Sequence, residues 1–215
     1  MTLPTLHIAD RNYSSWSMRP WLALKHGGIA FEERLHVLPE LGGVAPAFGA
    51  ISPSGKVPAL ELDGEVIADS LAICEWAAEQ SPSLWPRDAM ARTLARSASA
   101  MMHSGFAALR TDAPMNIRRR TDPGRMTQAG LADAAQMDTL WQGWLRRSGG
   151  PYLFGAWSIA DAMYAPAATR FVTYGIAHST AAGRYIDALT SEPHMARWIA
   201  AAHAETRALA RSDAA

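Results

Sequence analysis

Ser52-Pro53-Ser54-Gly55-Lys56-Val57-Pro58-Ala59-Leu60-Glu61-Leu62-Asp63-Gly64-Glu65-Val66-Ile67-Ala68-Asp69-Ser70-Leu71-Ala72-Ile73 decides how the chain is read. Pro58 to Leu62 and Glu65 to Ile67 are short apolar runs separated by Asp63-Gly64, a favoured two-residue hairpin turn. From Ser70 to Gln80, Leu71, Cys74 and Ala78 recur at helical spacing. Upstream, Leu6 to Ala9 reads as a strand and Phe31 to Leu38 as a second. Between them lies a helix, Pro20 to His26, with proline in its first turn and Gly27-Gly28 after its last. A loose Gly- and Pro-containing segment, Pro39 to Ser54, completes the order β-α-β-loop-β-β-α.

At Ser81-Pro82-Ser83-Leu84-Trp85-Pro86 the pattern breaks, as at a linker or helix boundary, and no strand hairpin is expected beyond it. Leu94, Ala98, Met101, Met102, Phe106 and Leu109 form one helical stripe; Leu131, Ala134, Met137, Trp141, Trp144 and Leu145 form another. A third helix is expected at Ser158-Ile159-Ala160-Asp161, where an N-cap serine and an N3 acid satisfy orphan N–H groups. A fourth is announced by Ser191-Glu192-Pro193, and the Ala-rich tail after Ala200 is expected to fray. Two domains follow, 1–83 and 84–215.

Composition narrows the function classes. With 20 Lys+Arg against 20 Asp+Glu, the chain of 215 residues has no global electrostatic reason to bind nucleic acid or an anionic membrane. No stretch approaches the roughly 20 apolar residues of a spanning helix, and the N-terminus lacks a basic segment followed by an apolar core, so a cytoplasmic protein is expected. Cys74, the single cysteine, cannot form an internal disulfide, and it sits on an apolar stripe as a buried, inert thiol. No Cys/His grouping has zinc spacing, so no metal is expected. Arg118-Arg119-Arg120 reads as a solvated helix end.

A phosphate-binding glycine loop, a paired-histidine metal helix and a Gly-flanked nucleophilic serine are all missing. Asn12-Tyr13-Ser14-Ser15-Trp16-Ser17-Met18-Arg19-Pro20 instead sets three serine hydroxyls beside backbone N–H groups that favour anions. Ser17 or Ser15 is also a candidate helix cap.

The Ser14-Ser15-x-Ser17-x-Arg19 string resembles the active-site turn of zeta and theta glutathione transferases. Ser52 to Leu60 resembles that family's cis-proline segment, Asp69-Ser70-Leu71-Ala72-Ile73 its Glu/Gln-Ser-x-Ala-Ile signature, and Ser158 to Asp161 its helical-domain capping box. The resemblance covers nearly the whole chain and implies a thioredoxin-like, glutathione-binding domain over 1–83 and an all-helical domain with the electrophile pocket over 84–215. It also implies glutathione as co-substrate and a homodimer. A glutathione thiol with a pKa of roughly 8.5 is a poor nucleophile at neutral pH. A serine hydroxyl donating to the sulfur favours the thiolate. Zeta-like alignment points to Ser14 and theta-like spacing to Ser15, with Ser15 slightly preferred.

For the rest of the peptide, the resemblance assigns the Val57-Pro58 segment to the cysteinyl backbone and Lys56 to the glycyl carboxylate. It gives Ser70 to the γ-glutamyl carboxylate and Asp69 to the amino group. Trp16, Met102, His103, Phe106 and Arg110 are expected to border the electrophile pocket. Conjugation to small hydrophobic electrophiles is the expected activity. The alternatives are glutathione-dependent cis-trans isomerisation of the maleylacetoacetate type, against which Trp16 stands where a cysteine is common, and non-catalytic glutathione binding.

Overall fold

A computed structural model describes residues 3–39, 46–124 and 126–213, and of Pro46, Ala47 and Arg211 only the backbone. The expected Pro39 to Ser54 loop lies partly outside these residues. The elements are β1 (Thr5–Ala9), α1 (Ser15–His26), β2 (Glu32–His36), α2 (Pro46–Gly49), β3 (Ala59–Leu62), β4 (Glu65–Ile67) and α3 (Ser70–Gln80). After a 3-10 turn at Pro82–Leu84 come α4 (Ala89–Ser104), α5 (Ala107–Asp112), α6 (Gln128–Ser148), α7 (Ile159–Thr173), α8 (Thr180–Thr190), α9 (Pro193–Ala204) and α10 (Ala210–Asp213).

The sheet order is β2-β1-β3-β4, with β1 parallel to β2 and antiparallel to β3. β1 is buried throughout, whereas β2 shows charged residues to solvent, which protects an open sheet edge. The hairpin turn falls where expected: Asp63 and Gly64 both have positive φ, 49° and 86°, as the favoured two-residue turn requires. β4 pairs with β3 through Leu60 opposite Ile67.

α1 lies between the first half and the helices, contacting β1, α3 and α7. It begins five residues earlier than its proline suggested. Pro20 is inside the helix and not in its first turn, where its missing N–H leaves the Trp16 carbonyl without its helical donor. Burial of Met18, Trp21, Leu22 and Leu24 holds the helix despite this. α7, almost wholly buried, is the centre of the second half. Its Tyr164 hydroxyl donates to the Ala98 carbonyl of α4 at 3.2 Å, and Tyr164, Phe171 and Tyr185 surround Trp141 of α6.

Three further expectations change. The stripe from Leu94 to Leu109 is two helices, because Gly105 ends α4 and Phe106 takes a left-handed φ of 56°. A Cβ on Gly105 would meet the Met101 carbonyl oxygen at 2.7 Å, so glycine is required there. Arg118 is not a solvated helix end: it donates to the Tyr13 hydroxyl at 3.0 Å and to the carbonyls of Glu205 and Arg207. The tail after Ala200 continues in α9 to Ala204, then crosses back to the first half. The helix announced by Ser191-Glu192-Pro193 is α9, capped by Glu192, whose carboxylate accepts from Met195 N–H at 2.8 Å.

Candidate active site

The turn between β1 and α1 is held from three directions. The Asp10 carbonyl accepts from the N–H groups of Tyr13 and Ser14, at 3.1 and 2.8 Å. Asn12, fully buried, donates to Asn116 Oδ1 at 2.9 Å and accepts from Arg118 N–H. The Glu205 carboxylate accepts from the N–H groups of Arg11 and Asn12 at 2.8 and 3.0 Å, and the Tyr13 hydroxyl donates to Asp213. The tail is therefore a strap across the serine turn. Glu205→Ala leaves two N–H groups without their charged acceptor and is expected to cost about 2 kcal/mol of stability, read from a denaturant midpoint. An unchanged midpoint would show that the strap carries no load.

Ser14, not Ser15 or Ser17, caps α1, its Oγ accepting from Ser17 N–H at 3.4 Å. Ser17 Oγ accepts from Ala9 N–H at 3.1 Å and lies 2.7 Å from Ser14 Oγ. Ser17 is wholly buried, and among the described residues the one acceptor within its hydroxyl's reach is Ser14. The chain of bonds therefore runs Ala9 N–H to Ser17 Oγ–H to Ser14 Oγ, which leaves Ser14's own proton free to donate outward. Ser15, at the first helical position, keeps a hydroxyl without a partner among the described residues.

Two cavities meet at Trp16 and Val57. One, of about 310 Å³, is lined by Trp16, Ser54, Lys56, Val57, Pro58, Ala68, Asp69, Ser70 and His103. All five residues expected to hold the peptide thus share one chamber. The Val57-Pro58 bond is cis. Asp69 caps α3, its Oδ1 accepting from Leu71 N–H at 2.7 Å, while Oδ2 lies 3.3 Å from His103 Nε2. Ser70's hydroxyl is buried and unpartnered.

The second chamber, about 430 Å³, is walled by Ser14, Ser15, Trp16, Arg110, Met115 and Arg170, among others. Of the residues expected around an electrophile, Trp16 and Arg110 are here. His103 faces the first chamber instead. Met102, with no exposed surface, and Phe106, packed edge-on to Tyr164, belong to the core because the break at Gly105 turns that face inward. Cys74 is fully buried and burial pushes its thiol pKa up, as an inert thiol requires.

Arg19 entered the sequence reading only as a member of the serine string, and Arg170 had no place in it. Arg19 is buried with none of its three guanidinium nitrogens hydrogen-bonded, its Cζ 4.1 Å from the centroid of Trp16. Arg110 approaches the same ring at 5.4 Å, so two guanidiniums share one indole. Arg170 donates from Nε to the Ala113 carbonyl at 2.8 Å, leaving a buried Nη1 without a partner. Burial first, then the charges of Arg170 and Arg110, push the pKa of Arg19 down to about 9; burial and Arg110 push that of Arg170 to about 10. No carboxylate among the described residues forms an ion pair with any of the three. Buried charges without a partner are held at a cost in stability.

Residues 13–80 match the family model described as glutathione S-transferase, N-terminal domain. The probable maleylacetoacetate isomerase of Caenorhabditis elegans is 32% identical over 123 residues, 56% of this chain and 56% of that protein. The maleylacetoacetate isomerase of Rattus norvegicus is 37% identical over 107 residues, 48% of this chain and 49% of that one. The chain thus spans about half the length of the curated relatives it matches. A glutathione transferase homologue from Burkholderia, solved with bound glutathione, has the same fold: the TM-score is 0.72 over 95% of this chain and 100% of that one, at 23% identity.

Proposed function

We propose that this chain, with a glutathione S-transferase N-terminal domain over residues 13–80 on the fold of those enzymes, brings glutathione to a small electrophile bearing a carboxylate. In this reading residues 1–83 hold the peptide and residues 84–215 supply most of the acceptor wall. The first chamber's donor set suits a peptide with two carboxylates and an amine: Lys56 and the orphaned Ser70 hydroxyl for the acids, Asp69 for the amine, the Val57 backbone for the peptide group. When bound, glutathione supplies the thiol that adds to the electrophile. Ser14 donates its free proton to that sulfur, and the relay from Ala9 and Ser17 orients it. The hydrogen bonding favours Ser14 over the Ser15 that spacing preferred.

The observation that carries the acceptor's class is the pair Arg110 and Arg170 in the wall of the second chamber, neither ion-paired with a carboxylate among the described residues, with the buried Arg19 against Trp16 adding to their positive charge. It favours an acidic electrophile over a purely hydrophobic one, and with it an isomerisation of the kind the curated relatives are named for. Conjugation is the second reading, carried by Trp16 in the place of a cysteine.

The test is calorimetric titration with reduced glutathione, followed by turnover of maleylacetone and of a neutral aromatic electrophile. Arg110→Met is expected to raise KM for maleylacetone about tenfold, the worth of a charge-assisted contact, with little change for the neutral compound. Failure of glutathione to bind at millimolar concentration would sink the reading. Turnover of the neutral compound alone would turn it to conjugation, and an equal effect of Arg110→Met on both would remove the carboxylate.

A further inference from the structure

The last turn of α1 and the first turn of α9 bring together three side chains that sequence spacing cannot associate. His26, Glu192 and His194 each offer one ligand atom, and these atoms lie within 4.8 Å of one another. The His26 ring stacks flat on Trp157, centroids 3.4 Å apart and planes at 11°, and meets His194 edge-on at 4.9 Å. Glu192 is held in place by capping α9.

The protons of this group are badly placed. His26 Nε2 lies 3.1 Å from Glu192 Oε2, but the pair lacks hydrogen-bond alignment; this nitrogen and His194 Nδ1 are both buried and unpartnered. A neutral ring whose lone pair faces a carboxylate is repelled by it, and one whose N–H points off axis gains little. A cation between the two rings and the carboxylate satisfies all three at once.

We propose that His26, Glu192 and His194 form a binding site for a divalent transition-metal ion of the zinc class, which ties the end of α1 to the start of α9. Two imidazoles and one carboxylate suit zinc and its neighbours, whereas magnesium and calcium prefer all-oxygen sets. Three protein ligands leave a fourth position for water. Donors bound to one zinc at about 2.0–2.1 Å are roughly 3.4 Å apart, so atoms now up to 4.8 Å apart close by up to about 1.4 Å on binding, a movement within reach of the partly exposed His194 ring. The site stands at the opposite end of α1 from the serine turn, and it is independent of the glutathione reading.

Chelator-treated full-length protein is titrated with zinc chloride by calorimetry and with cobalt chloride by visible absorption. The expected result is one ion per chain with micromolar or tighter affinity, the intense absorption of four-coordinate cobalt, and a higher Tm with zinc. His194→Ala and Glu192→Gln are each expected to weaken binding at least about tenfold. The glutamine keeps an acceptor for Met195 N–H and so preserves the cap. His36→Ala is the control, because His36 and His7 face each other at 2.9 Å and are the nearest rival pair; it should leave binding unchanged. No binding at millimolar zinc, undiminished affinity in both site variants, or loss of binding in His36→Ala would each overturn the proposal.

Discussion

Asp161→Ala is expected to lower the folding free energy by about 4 kcal/mol, the range of a broken buried polar network. The carboxylate is fully buried at the start of α7, the best-buried helix of the second half. One oxygen accepts from Leu153 N–H at 3.1 Å; the other accepts from Ser158 N–H at 2.8 Å and from the Ser158 hydroxyl at 3.2 Å. Alanine leaves all three donors without their acceptor at once, and each orphaned donor costs about 1–3 kcal/mol. Asp161→Asn keeps one oxygen but turns an NH₂ towards donors, and should cost about half as much. Burial holds the Asp161 pKa up at about 6 against the hydrogen bonds it accepts. A pKa raised on folding makes this group's contribution full below about pH 4 and lost as pH rises through 6. Denaturant midpoints of wild type and Asp161→Asn across that interval should therefore converge with rising pH. A loss under about 1 kcal/mol for the alanine variant would reduce Asp161 to an ordinary surface cap.

Asp161 was legible because its partners are local: Ser158 and Asp161 stand three residues apart, and the cap follows from that spacing alone. The same holds for the Asp63-Gly64 turn and for α3, whose start and finish fall where apolar spacing put them. What escaped is non-local or set by competition. Gly105 looks like any glycine inside a helical stripe until the Met101 carbonyl shows that no side chain fits. Pro20 signals a helix start on local grounds, and only the packing of α1 against α7 reveals that the helix began at Ser15. α8 was missed between stronger signals. Arg19 and Arg170 are separated by 151 positions, and the charge of Arg170 reaches Arg19 only through that same packing, so no motif could pair them. The strap from Glu205 to Asp213 reads as a polar tail, and its meaning lies in the unpaired N–H groups of a turn nearly two hundred residues away.

Ser14→Ala is expected to lower kcat about 100-fold, the cost of losing one well-placed donor to a developing anion. In the proposed mechanism Ser14 is the end of a relay, so its loss and that of Ser17 differ in kind. Without Ser14 no proton meets the sulfur, and the pH at which the rate is half-maximal should rise towards the roughly 8.5 of a free thiol. Ser17→Ala leaves the Ser14 hydroxyl in place but frees it to rotate, because the 2.7 Å contact that orients it is gone; a loss nearer tenfold is expected, with a smaller shift of the profile. That variant also orphans Ala9 N–H, and Ser14→Ala loses both the cap bond from Ser17 N–H and the acceptor of the buried Ser17 hydroxyl, so both should be measurably less stable, each by about 1–3 kcal/mol. Ser15→Ala, lacking any oriented partner to lose, should change kcat least. The affinity for glutathione should move little in all three, since its carboxylates and amine are assigned to Lys56, Asp69 and Ser70 in the neighbouring chamber. If Ser15→Ala takes the large loss and the shifted profile while Ser14→Ala keeps both, the donor is the residue that theta-like spacing preferred, and the relay serves only to cap α1.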